Sequence, residues 1–197
     1  MHQLWIVAGP NGTGKSSLVA RHLMGKLPII NPDDIAREMA SARPGAGSPL
    51  EAAREALTQQ RRHLADRRSF AVETTFSGHR ELTLMKDAKA AGYKVNLIFV
   101  CTDSPLISIG RIAVRVAAGG HSVPAADVHR RYQRSLANLP RGLALADRTW
   151  LLDNTRRRMR LIASLERGRL KSMADILPRW VRLARLPALR QAPSLSL

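Results

Sequence analysis

The sequence predicts an α/β protein of three layers, α/β/α, with a mainly parallel sheet of about five strands and a helical lid. Three observations carry this reading. Short apolar runs alternate with helical stretches over the first 155 residues, the pattern of βα units. The run Tyr93–Cys101 is apolar almost throughout, as a strand buried on both faces is. A glycine-rich turn joins the first apolar run directly to the first helical one.

That turn is the most informative stretch of the chain. Leu4–Ala8 reads as a buried strand, and Leu18, Val19, His22 and Leu23 recur at helical spacing. Between them Gly9, Pro10, Asn11, Gly12, Thr13, Gly14, Lys15 and Ser16, followed by Ser17, fit G-x-x-x-x-G-K-[ST] at every fixed position. Glycines let the backbone approach a polyphosphate, and successive N–H groups at a helix start face its oxygens. Lys15 is placed to reach the β- and γ-phosphates and Ser16 to hold Mg²⁺. The fold class is therefore a P-loop NTPase, with ATP and Mg²⁺ as the expected cofactors. The motif does not say what receives the phosphate.

A second short strand ends at Asn31, and Pro32, Asp33 and Asp34 follow as a helix start. Asp33 lies at a strand's C-terminal end, where open α/β sheets bind ligands, so it is the candidate general base. Asp34 has a capping role open to it. Residues 41–50 read as a loop, and Glu51–Arg67 as a helix with Ala56, Leu57 and Leu64 inward. The third strand, from Ser69, ends in Glu73, Thr74 and Thr75. Glu73 takes the place of the strand-end carboxylate near Mg²⁺ in P-loop enzymes. Glu81–Ala91 reads as a helix that Gly92 stops.

After Cys101, Asp103-Ser104-Pro105 opens a helix on which Arg111 and Arg115 share a face. Gly119-Gly120 interrupts it before a basic helix, Asp127–Leu139, with Arg130, Arg131 and Arg134. This pair reads as a lid over phosphates or as a solvated hairpin. Arg148–Asn154 is the fifth strand, its Asp153-Asn154 end directed at the nucleotide.

Residues 1–155 are thus the expected kinase domain, and 156–197 a basic, helical extension. That extension holds eleven basic and two acidic residues in a chain of net charge +17. Nucleic acid is not the expected main partner, because aromatics, which stack on bases, are only 4%. The segment with Ile176, Leu177, Trp180, Val181 and Leu183 reads as a weakly packed amphipathic patch for the body or a partner. No apolar run is long enough for a membrane, no signal peptide is evident and Cys101 stands alone; a cytoplasmic protein is expected.

From Trp5 to Asn154 the chain resembles the zeta toxin family of P-loop kinases. The shared features are the Gly9–Ser17 motif, Asn31-Pro32-Asp33, Phe70–Gly78, Arg115–Pro124 with Arg130-Arg131-Tyr132, and Asp153-Asn154. The resemblance implies an ATP-dependent kinase that phosphorylates a nucleotide sugar such as UDP-N-acetylglucosamine, with a protein antitoxin as partner. It implies Asp33 as base, Lys15 and Ser16 on triphosphate and Mg²⁺, and Glu73 and Thr75 near metal and substrate. Arg115, seconded by Arg111, is implied as the lid arginine. His121 stands where longer members carry a second lid arginine, a role that Arg130 or Arg131 is then expected to fill. The alternatives are a kinase of another small molecule or of a nucleic-acid 5′-hydroxyl, and a nucleic-acid-binding NTPase without kinase activity.

Overall fold

The computed structural model describes residues 1–120, 122–186 and 189; His121 lies outside the described residues. Its seven-stranded sheet has the order β2-β3-β1-β4-β5-β6-β7. Strands β1 (Gln3–Ala8), β2 (Ile29–Ile30), β3 (Phe70–Thr74), β4 (Lys94–Cys101) and β5 (Arg148–Asp153) are parallel. They are the five strands expected from the apolar runs. β6 (Arg160–Glu166) and β7 (Arg169–Met173) continue the sheet antiparallel.

The β-strand period decides the layers. Leu4, Ile6 and Ala8 point to one face with Phe70, Val72, Leu97 and Phe99, and form the main core. Helices α2 (Pro32–Ala42), α3 (Pro49–Ala65), α4 (Arg80–Ala90), α6 (Ala125–Leu145) and α7 (Arg179–Leu183) cover that face. Val7 and Ala71 point to the other face, where α1 (Lys15–His22) packs through Val19, joined by Leu23 just after it. Helix α5 (Pro105–Ala117) starts at Ser104, whose side chain caps Leu106 N–H, and buries Ile112.

The segment after Asn154 corrects one expectation. Arg156–Arg169 is not helical, and the sheet runs across the boundary expected at residue 155. Ile162 and Leu165 are buried, while Arg167 and Gly168 take positive φ (48° and 74°) between the paired residues Glu166 and Arg169. That is the geometry of a two-residue hairpin turn whose twist suits the flanking strands. Nor is the following stretch loosely packed. Trp180 is fully buried, its Nε1 donates to Asp153 Oδ1 (3.1 Å), and its ring lies 5.8 Å from that of Phe99. The amphipathic patch docks on the body through Trp180 and Val181, and leaves Ile176 and Leu183 exposed. No helix among the described residues is long and apolar enough to cross a membrane.

Candidate active site

The strand order places the site. β1 lies between β3 and β4, so the chain leaves it into a crevice at the sheet's carboxyl edge. Gly9 and Gly12 are needed there. A Cβ on Gly9 would stand 2.0 Å from the Val100 carbonyl oxygen, and one on Gly12 2.7 Å from that of Ser108; both have positive φ. The loop closes on the Pro10 carbonyl, which accepts from Thr13 Oγ1 (2.9 Å) and Lys15 Nζ (2.7 Å). Asn154 Nδ2 donates to Thr13 O (2.8 Å), so the end of β5 braces the loop from the far side.

A cavity of about 550 Å³ opens over this loop. Its wall includes Asn11, Gly12, Gly14, Lys15, Ser16 and Ser17 from the glycine-rich turn and α1. From the ends of β2 and β3 come Asp33, Glu73 and Thr75; from α5, Arg111 and Arg115. Residues dispersed over more than a hundred positions thus meet in one cleft. Asp33 stands in the first turn of α2, its N–H donated to the Asn31 side chain (3.0 Å). Asp34 instead pairs with Arg37 on the helix surface.

Burial sets the electrostatics. It lowers Lys15 to about 8, against the opposing pull of Glu73 and Asp33. It raises Glu73 above the usual carboxylate range, while the Ser16 hydroxyl and Lys15 act in the other direction. Ser16 Oγ donates to Glu73 Oε1 at 2.6 Å. A hydroxyl and a carboxylate in contact at the mouth of a phosphate loop fit Mg²⁺. That ion takes few protein oxygens and completes its shell with water and phosphate.

Some expected residues fall elsewhere. Arg130 pairs with Asp127 (2.8 Å) and is not in the cavity wall; its neighbour Arg131 is, and donates to Asn11 Oδ1 (3.3 Å). One helical step turns a side chain by about 100°, so only the packing of α6 separates these two. Asp153 faces away from the nucleotide loop and holds Thr155, Arg160 and Trp180. Two polar wall residues carried no functional signal in the sequence, Gln60 on α3 and Glu81 on α4, while Ser77 after β3 fell inside the Phe70–Gly78 run without being singled out. In the sequence Glu81 reads as an acid in a helix first turn, a common surface feature.

The sequence profile of the AAA domain family matches residues 4–140. The chain belongs to that family. Among relatives of this AAA domain chain, an uncharacterized protein of Haemophilus influenzae is 29% identical over 137 residues, 66% of this chain and 97% of that protein. The crystal structure of AvrRxo1-ORF1:-ORF2 with ATP superposes with TM-score 0.67 at 18% identity, over 100% of this chain. This chain spans 65% of the length of that one. The PezAT chromosomal toxin–antitoxin system of Streptococcus pneumoniae gives TM-score 0.59 at 14% identity, over 94% of this chain and 78% of that one. At these identities the two structures establish a shared three-layer α/β P-loop NTPase-like fold.

Proposed function

We propose that this protein is an ATP-dependent phosphotransferase that moves the γ-phosphoryl group to a hydroxyl of a small molecule. The observation that carries the reading is one cavity holding both the Asp33 carboxylate and the Lys15 ammonium group, with Glu73 and two arginines around them. Asp33 accepts the proton of the acceptor hydroxyl. The acceptor oxygen forms its bond to the γ-phosphorus as the bond from that phosphorus to the β–γ bridging oxygen breaks, and ADP leaves with the electron pair. Lys15, Arg111 and Arg115 neutralise charge on the phosphoryl oxygens, and Arg131 closes the loop side. Ser16 and Glu73 would hold Mg²⁺, which when bound draws charge from the β- and γ-oxygens. The resemblance to zeta toxins makes a nucleotide sugar such as UDP-N-acetylglucosamine the first acceptor to assay; another small-molecule hydroxyl is the alternative.

A protein antitoxin as partner is supported by the fold shared with a toxin–antitoxin system. The test of the catalytic reading is Asp33→Asn. We expect ATP affinity to stay within about twofold and the transfer rate to fall roughly 10²- to 10⁴-fold, the range for loss of a general base. Transfer at the wild-type rate would remove Asp33 from that role.

A further inference from the structure

The strand order sorts the cavity wall by charge. Reading along the carboxyl edge in the order β2-β3-β1-β4, the wall begins with Asp33 after β2 and Glu73 at the end of β3. Lys15 after β1 is central, and Arg111 and Arg115 after β4, with Arg131 from α6, complete it. The cations therefore gather where a triphosphate would lie. The β2–β3 end adds Gln60, Thr75, Ser77 and Glu81 and, among the described residues, no lysine or arginine. Of the described cations on the helices beside this end, Arg131 of α6 alone reaches the wall, and it lies on the loop side, donating to Asn11 Oδ1. Arg37 is paired with Asp34, Arg141 lies against the His79 ring, and Arg54, Arg61 and Arg80 stay outside the wall.

This end is also built for hydroxyls. Thr75 Oγ1 and Ser77 Oγ lie 2.9 Å apart. The loop that presents them is held hard. Phe76 is fully buried with φ at 57°, its N–H donates to Thr74 Oγ1, and Asn138 Nδ2 donates to the carbonyls of Phe76 and Gly78. Backbone held this far from its preferred conformations persists only where its surroundings fix it, and such places cluster at ligand sites. Glu81 accepts from Thr74 Oγ1 through Oε1 (2.8 Å), while its Oε2 is buried with no hydrogen-bond partner. The Glu81 carboxylate therefore adds negative charge to this end of the wall, with one oxygen held by Thr74 and the other short of a partner.

We infer that the acceptor is a small polyhydroxylated molecule without phosphate or carboxylate, such as a free hexose, hexosamine or cyclitol, and that Glu81 enforces this choice. The inference rests on the phosphotransferase reading and goes further by setting its acceptor class against the nucleotide sugar. Hydroxyl and ammonium groups donate to Glu81, Asp33 and the Thr75–Ser77 pair; a second anionic group placed at this end would meet the carboxylates of Glu81 and Asp33, while Lys15, the cation that pulls on Asp33, is committed to the triphosphate.

The test is an acceptor panel on the full chain with ATP and Mg²⁺: glucose, glucosamine and inositol against glucose 6-phosphate, gluconate and UDP-N-acetylglucosamine. We expect kcat/KM for at least one uncharged or amine-bearing acceptor to exceed that for every anionic one by ~10²-fold or more. Glu81→Gln keeps the Thr74 hydrogen bond and removes the charge; it should narrow that gap about tenfold. An anionic acceptor equal to or better than the neutral ones would overturn the inference and leave the phosphotransferase standing. No transfer to any acceptor, with ADP release unaffected by Lys15→Ala, would overturn both.

Discussion

Ser16 Oγ donates to Glu73 Oε1 across 2.6 Å, joining the first turn of α1 to the end of β3. The two residues are 57 positions apart, and the parallel pairing of β1 with β3, Ala8 opposite Thr74, brings them together. Glu73 is almost fully buried, and its carboxylate sits beside a lysine as buried as itself. A desolvated acid of this kind contributes little to holding a fold and much to holding a cation.

Glu73→Gln separates those two contributions. The amide oxygen can still accept from Ser16, so we expect the Tm without Mg²⁺ to change by no more than a few degrees. The rate of phosphoryl transfer should drop ~10²-fold or more, on the scale of losing one electrostatic stabiliser of the transferring group. Rates titrated against Mg²⁺, with thermal melts in parallel, check this; unchanged Mg²⁺ dependence would assign the metal elsewhere.

Lys15 gives a pH signature. Its folded-state value of about 8 lies below the ordinary 10.5, so between these values the unfolded chain binds more protons than the folded one. Stability of the free protein should therefore rise as the pH climbs from about 8 toward 10.5 through this group. ATP reverses the preference, because phosphate oxygens favour the ammonium form. Kd for ATP should weaken above pH 8 by at most about tenfold per unit, the limit for a single linked proton. Calorimetric titrations at pH 7, 8.5 and 9.5 measure it, and a flat Kd would show that Lys15 does not titrate on binding.

Removing the Trp180 side chain tests whether the chain after Asn154 is an appendage. Its indole fills the core against Phe99 and satisfies Asp153. Trp180→Ala should cost about 3–5 kcal/mol, as large aromatic truncations in cores do. Residues 1–155 alone, which lack β6, β7 and the Asp153 partners Arg160 and Trp180, should fail to give a cooperative thermal transition. A truncated chain that melts cooperatively near the full-length Tm would make the extension dispensable.

The sequence by itself determined the glycine-rich loop, the five parallel strands and the identity of Asp33, Glu73, Arg111 and Arg115 as residues of interest. Each depends on short-range chemistry: a loop motif fixed at each position, apolar runs of strand length, and acids or arginines at element ends. Tertiary structure decided the rest. The choice of Arg131 over Arg130 turns on how α6 sits against the P-loop, which no spacing within the helix records. Gln60, Ser77 and Glu81 meet only because α3, the end of β3 and α4 converge on one cleft. The basic stretch after Asn154 became a hairpin because β5 offered it an unpaired edge, and burial of Ile162 and Leu165 against the sheet outweighed the helical propensity of its Arg, Met, Leu and Ala residues. Edge pairing and cleft assembly depend on contacts distant in sequence, whereas loop motifs and strand runs are local.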